Sequence, residues 1–264
     1  VLRARLTHPN VREVMRNHSL HTDVAAVLGR GAEMFPLIEI MVATKRPNRI
    51  EGLMKTLGKQ TYPNLGLVLV PHGIDLDRTW LEDLAAAEGV QLREVVPVSE
   101  SVPLGDVFNI GFSATTADVV AKMDDDDFYG EEYLWDLYDA LQFSGADVAG
   151  KWAHFVYLEG ADSLIYRFKN AEHTFREVVA ISTLLMHRRV LEEERFPAMP
   201  YGSGSVFLRA LGAKGAKVYA ADRWNYVYTR DHNGRRNTFP MTDLRLLANS
   251  DVVCKGLNLD HVVV

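Results

Sequence analysis

From about Phe35 onward, the apolar positions of the chain alternate between short continuous runs and helical stripes. Leu37 to Ala43 reads LIEIMVA, rich in β-formers, and Thr44-Lys45-Arg46-Pro47-Asn48 ends it, which predicts a buried strand meeting a loop. Ile50, Leu53, Met54 and Leu57 then follow the spacing of an amphipathic helix. Tyr62-Pro63-Asn64 breaks it before a second strand from Leu65 to Val70, which completes a βαβ unit. The theme recurs: Trp80, Leu81 and Leu84 mark a helix, Val90 to Val98 a strand, Val107 to Ala117 a helix, and Val119 to Met123 a strand. A helix with Tyr133, Leu134, Leu137 and Leu141 on one face follows. The more irregular remainder predicts strands near Ala146 to Trp152, Val178 to Met186 and Val218 to Tyr228. The fold class expected is α/β, an open, mixed, mostly parallel sheet flanked by helices. In such sheets ligands sit at the carboxyl ends of strands, so the loops 44–47, 71–75 and 124–127 should share one crevice.

Residues 3–33 differ in character, being polar with Val11, Val14 and Met15, then Val24, Ala25 and Leu28, at helical spacing before Gly29 and Gly31. The expectation is an N-terminal helical cap or linker over 1–34 and one continuous domain over 35–264.

Composition narrows the class. The 264 residues are 47% hydrophobic and 24% charged, a globular balance that excludes disorder and disulfide scaffolds. A single cysteine, Cys254, permits no internal bridge or thiolate metal site. No apolar run approaches the ~20 residues of a membrane span, and the N-terminus lacks the apolar core of a signal peptide. With Val1 first, the expectation is a cytoplasmic chain, processed or forming a domain of a larger one. Lys and Arg number 29 against 35 Asp and Glu, a formal charge of −6, which argues against nucleic acid as a partner.

The acids are unevenly placed. Asp124-Asp125-Asp126-Asp127 directly follows the apolar strand VVAKM, and four adjacent carboxylates repel one another unless something positive compensates. Mg²⁺ and Mn²⁺ take oxygen ligands and are held by one or two carboxylates plus substrate phosphates, which suits a nucleotide-dependent enzyme. The alternative is a solvated acidic loop, or acids favoured at the start of a helix at Tyr129.

Three segments in order, VATKRPNRIEGLMKTLGKQTYPNLGLVLV, FNIGFSATTADVVAKMDDDDFYGEEYL and VFLRALGAKGAKVYAADRWNYVYTRDH, resemble the family 2 glycosyltransferases, whose nucleotide-sugar-binding fold is called GT-A. The first is similar to the family's opening strand, loop and Gln-Thr-Tyr-Pro turn, and the second to its DXD strand, with Asn109 at the position of a recurrent Asn. The resemblance implies that Thr44 and Arg46 belong to the loop that holds the nucleotide, with Arg49 as a nearby contact. It places Asp124 toward ribose and base and in reach of the metal, Asp126 as the metal ligand, and Asp125 in support. His232 is the candidate to complete the metal site, with a surface histidine as the alternative, and Lys122 is a candidate to neutralise carboxylates or a phosphate. Implied with them are a nucleotide-sugar donor, UDP-linked, a manganese or magnesium cofactor, an inverting transfer, and a carbohydrate, lipid-linked or small-molecule acceptor.

Two departures stand out. His72 occupies the position after the second strand where the family carries a base-reading acid. Ser203 and Gly204 replace the Glu-Asp pair that supplies the general base, and a serine at its normal pKa is a poor base at neutral pH. The base then comes from elsewhere, with Asp222, Asp127 or Asp231 as candidates; or the reaction is slow or different; or the domain binds nucleotide sugar or glycan without catalysing. Trp152, His154, Tyr157, Tyr166 and Phe168 fall where an acceptor would stack, with an aromatic strand core as the alternative. No full GxGxxG and no nucleophile elbow occurs, which sets aside a Rossmann dehydrogenase and a Ser-His-Asp hydrolase.

Overall fold

The computed structural model of the chain describes residues 35–231 and 242–264, so the expected N-terminal cap and His232 lie outside the described residues. In chain order the first half contains β1 (Ile38–Thr44), α1 (Ile50–Gly58), β2 (Leu65–Pro71), α2 (Arg78–Ala87), β3 (Gln91–Val95), α3 (Leu104–Ser113) and β4 (Val119–Lys122). Then come β5 (Phe128–Tyr129), α4 (Tyr133–Ser144), β6 (Val148–Gly150), β7 (His154–Leu158), β8 (Ser163–Arg167), β9 (Thr174–Arg176) and β10 (Leu185–His187). The chain continues with α5 (Val190–Glu193), α6 (Ser203–Ala213), β11 (Val218–Ala220), β12 (Tyr226–Arg230), α7 (Asp243–Ala248) and β13 (Ser250–Lys255). No described helix is long and apolar enough to cross a membrane.

The main sheet has eight strands in the order β3-β2-β1-β4-β10-β6-β11-β9. Its first four strands are parallel, β10 runs antiparallel between β4 and β6, and β11 is parallel to β6. Alternation along β1 builds the two cores. Ile38, Ile40 and Val42 face the cluster under α1, α2 and α4, while Met41 faces the cluster under α3 and α6. In α1 the four predicted positions Ile50, Leu53, Met54 and Leu57 are the buried ones. Gly111 lets α3 lie close to the sheet, since a Cβ there would sit 2.8 Å from the side chains of Met41 and Val70.

A second sheet, in the order β13-β8-β7-β12-β5, packs beside the first. The sequence pattern did not separate it. The stretch 218–228 divides at Asp222–Asn225, where Asn225 takes a φ of 61°, and its halves β11 and β12 enter different sheets. The expected helix start at Tyr129 is instead the short strand β5. Tyr129 pairs with Tyr226 and its ring packs against Tyr133 and Tyr226, so the acids precede a strand and the helix waits until Tyr133. Likewise only Leu185 and Met186 of the expected strand 178–186 pair, within β10, because the Ala180 amide donates to the Lys151 carbonyl and the backbone turns at Ile181–Thr183.

A Phe cluster fixes α3 to the later chain. Phe196 stacks on Phe207 at 4.0 Å and meets Phe108 edge-on at 5.5 Å. Asn109 on α3 clamps that segment: its Nδ2 donates to the Phe196 carbonyl at 2.8 Å, and its Oδ1 accepts from the Phe196 amide at 2.9 Å. Asn109→Ala should therefore lower stability by about 1–3 kcal/mol through two unsatisfied backbone groups, read by urea unfolding.

Candidate functional site

The site forms where β1, β2 and β4 end. The amide of His72 donates to the Thr44 carbonyl at 2.8 Å, which ties the loop after β2 to the end of β1. Thr44 Oγ1 accepts from the Arg46 amide at 2.9 Å and donates to the buried Asp125 carboxylate. The three loops therefore meet at one end of the sheet.

Arg46 is the centre of charge. Its Nε donates to Asp125 at 3.1 Å, a second nitrogen reaches the other Asp125 oxygen, and the third reaches Asp126 Oδ2 at 2.5 Å. Burial alone would lower the Arg46 pKa, but the hydrogen bonds and charge of both carboxylates outweigh it and hold the guanidinium protonated. Lys122, buried and with its Nζ 4.7 Å from the Phe108 ring centroid, pairs with Asp124. Two of the chain's own cations thus face three of the four acids.

Asp127 turns to the second sheet. Its Oδ2 accepts from the Tyr226 hydroxyl at 2.7 Å and its Oδ1 from the Thr229 amide at 3.0 Å. Tyr226 also lies 2.6 Å from Ser182 Oγ, while the Tyr129 hydroxyl donates to the Ser182 carbonyl and accepts from the Asp124 amide. Asp124 and Asp127 are therefore connected through a buried hydroxyl network as well as through the chain. Desolvation first, and the charge of Asp124 and Asp126 second, push the Asp127 carboxyl well above the usual range. Desolvation also raises Asp126, against the opposing pull of Arg46.

The other expected site residues divide. Arg49 sits in the turn Pro47–Arg49 at the crevice, its amide donating to the Arg46 carbonyl at 3.0 Å. His72 is buried with its Nε2 unpartnered, and desolvation first, then Lys45, lower its pKa. Asn109, a candidate nucleotide contact, bonds the Phe196 backbone with both ends of its amide. Asp222, a candidate base, sits in a buried ion pair. It is buried, paired with the fully buried Lys151 at 3.0 Å, and accepts from the Trp224 amide at 2.8 Å. Asp231 lies at the end of β12, two residues past the Thr229 amide that holds Asp127. Tyr129, Ser182 and Tyr226 carried no local signal, because each acts on a carboxylate or partner far along the chain.

The position of the absent acid pair is filled. Helix α6 begins at Ser203, which is buried, and a Cβ on Gly204 would come within 2.3 Å of the Ile181 side chain. No acidic side chain fits at 204 without moving Ile181.

Among the described residues no group of three or more metal-ligating side chains converges. Asp124 and Asp126 are partly exposed, and each carboxylate has one oxygen, Oδ2 and Oδ1, outside its pair with Lys122 or Arg46. Two carboxylates of this kind fit an oxygen-seeking cation that takes its remaining ligands from a diphosphate and water.

His154 supplies a check on the neighbouring sheet. It is 5% exposed, its Nδ1 lies 2.8 Å from the Trp152 carbonyl, and burial lowers its pKa to about 4. Between an unfolded value of about 6.5 and that folded value the unfolded chain binds the extra proton, so stability falls as pH drops through this window. Relative to His154→Asn, the parent protein should lose roughly 3 kcal/mol at most between pH 7 and pH 4, read by urea unfolding at each pH. Arg46→Met should cost about 2–3 kcal/mol at pH 7 because it leaves buried Asp125 unpaired, and Arg46→Lys should recover only part, having no fork. The same unfolding measurement reads both variants.

A family model described as glycosyl transferase family 2 matches residues 40–192. TarS 1-349 of S. aureus in complex with UDP-GlcNAc superposes with a TM-score of 0.56 at 15% identity, over 77% of this chain and 62% of that one. The mannosyltransferase PcManGT of Pyrobaculum calidifontis in complex with GDP-Man and Mn²⁺ gives 0.56 at 14% identity, over 77% of this chain and 59% of that one. At such identity the likeness establishes the fold, and the chain spans about three fifths of the length of those structures. No curated protein matches significantly.

Proposed function

From the premise that this chain belongs to glycosyl transferase family 2, we propose that it transfers a sugar from a nucleoside-diphosphate donor, UDP-linked and metal-assisted, with inversion. The observation that carries this reading is the strand-end crevice in which Thr44, Arg46, Lys122 and the acids Asp124–Asp127 converge. One buried and one half-buried cation beside a carboxylate cluster, Lys122 and Arg46, suit a diphosphate, whose charge rises as the sugar's anomeric carbon leaves it. Asp124 and Asp126 would hold a divalent cation, which would supply further charge stabilisation to that departing group.

In the proposed reaction the anomeric C–O bond to diphosphate breaks, an acceptor oxygen forms the new bond from the opposite face, and the acceptor's proton passes to a base. With Asp222 committed to Lys151, the remaining candidates are Asp127 and Asp231. Asp127 has the better position, because Tyr226 and Thr229 hold it between the crevice and the second sheet. Each of its oxygens has one donor and a further lone pair for a proton. Thr44 and Arg46 orient the nucleotide-side loop, and His72 and Arg49 lie where base or phosphate contacts would fall.

The closed packing at Gly204 favours one rival reading, a domain that binds nucleotide sugar without transferring it. UDP with Mn²⁺ should raise the melting temperature by roughly 5–10 °C at a hundredfold excess over Kd, and Asp126→Ala should remove the shift. No stabilisation by any nucleoside diphosphate sinks the donor site, while sugar transfer or donor hydrolysis that depends on Asp126 eliminates the binding-only reading.

A further inference from the structure

The second sheet presents one row of side chains toward the Asp127 side of the site. Ser250 on β13 pairs with Arg167 on β8, and Arg167 pairs with His154 on β7. Beyond β7, the Tyr226 ring of β12 lies 5.8 Å from the His154 ring, and its hydroxyl donates to Asp127. Directly opposed residues share a face of the sheet, so Ser250, Arg167, His154 and Tyr226 form a continuous line. Arg167 sits two strands from Tyr226, about 10 Å at ~4.8 Å per strand.

Arg167 is built in but not paired. No described carboxylate forms an ion pair with it, its Nε is buried without a hydrogen-bond partner, and the neighbouring Ser250 Oγ is buried without one too. Two adjacent orphaned polar groups leave a cost of about 1–3 kcal/mol each unless something answers them. The guanidinium is nonetheless held in place. It lies 4.5 Å over the Phe168 ring, and Phe168 in turn stacks on Trp152 at 4.3 Å and 14°. Phe168 achieves this at a φ of 53°, a left-handed conformation unfavourable for an aromatic residue, so backbone strain is accepted to support the guanidinium face. A guanidinium stacked on its face keeps its N–H edge for a planar, forked oxyanion partner.

We propose that Arg167, with Ser250 beside it, binds an oxyanion carried by the sugar acceptor, a carboxylate or phosphate about 10 Å from the Asp127 anchor. This rests on the transferase reading for the identity of the ligand as acceptor, but not for the anion site itself. Among the described residues, Arg230 on the same face is already answered by Asp243 at 2.7 Å, whereas Arg167 has no carboxylate partner and is the residue proposed to select the charged group.

The test is calorimetric titration of glucose phosphate, glucuronate and glucose into the protein, with UDP and Mn²⁺ and again without them. At least one anionic probe should bind about tenfold or more tighter than glucose, and whichever does so identifies phosphate or carboxylate. Arg167→Met should abolish that preference while the UDP-dependent melting shift persists, and Ser250→Ala should weaken it several-fold. Equal binding of all three probes, or a preference that survives Arg167→Met, overturns the proposal. Should Arg167→Met fail to fold, Arg167→Lys takes its place, and an undiminished preference in both Arg167→Lys and Ser250→Ala overturns it equally. Absence of UDP binding would instead count against the transferase reading, with the nucleotide-free titration still deciding the anion site.

Discussion

Four consecutive carboxylates at the end of a buried strand are the constraint on which the rest of the site depends. Asp125 is buried outright, and an unpaired charge there would be prohibitive. Arg46 answers it with a two-point fork and extends its third nitrogen to Asp126. Because Thr44 ends β1 and also bonds Asp125, the fork fastens the loop after β1 to the loop after β4. The bond from His72 to the Thr44 carbonyl then brings in β2. Three strand ends are thus ordered by one electrostatic requirement.

The tetrad is also what joins the two sheets. Asp127 cannot share Arg46, which is spent on Asp125 and Asp126, and its donors come instead from β12. Tyr226 serves both the Asp127 carboxylate and Ser182, and Tyr129 serves the Ser182 carbonyl and the Asp124 backbone amide, so the two ends of the tetrad, one by its side chain and one by its main chain, depend on the same buried hydroxyl cluster. Each of these phenols is raised well above its usual range by desolvation first and by Asp127 next, which keeps them protonated as donors. The order of the tetrad therefore assigns tasks. Asp125 is structural, Asp124 and Asp126 face outward beside a cation, and Asp127 reaches toward the second sheet.

The βαβ half was legible because its signals are local. The apolar run of β1 and the four-residue stripe of α1 are each read within ten residues, and the structure places them as the spacing predicts. The acids invited a helix start at Tyr129, which is a reasonable local preference, yet pairing with Tyr226 across 97 positions overrides it. The same distance hid the hydroxyl network. A run such as 218–228 contains nothing that says its halves belong to two sheets, since both are apolar and only Asn225 marks the corner. Asp222 shows the converse limit. A carboxylate near a site is a plausible base in sequence, and nothing local to Asp222 announces its buried ion pair with Lys151, 71 positions away.

That buried pair clarifies what the absent acid at 203–204 means. Lys151 and Asp222 bridge the end of β6 and the turn between β11 and β12, and Lys151 also lies 5.7 Å from the Tyr133 ring centroid. A pair so desolvated adds little net stability, but removing either partner strands a charge, so the geometry around it is held tightly. The Lys151 amide bonds Thr183, and the turn containing Thr183 also supplies Ile181, whose side chain occupies the space beside Gly204. The turn that closes the old base position is therefore anchored to the same rigid pair that withdraws Asp222. A side chain at 204 would require the Ile181 side chain to move, and Ile181 precedes Ser182, whose hydroxyl and carbonyl contact Tyr226 and Tyr129.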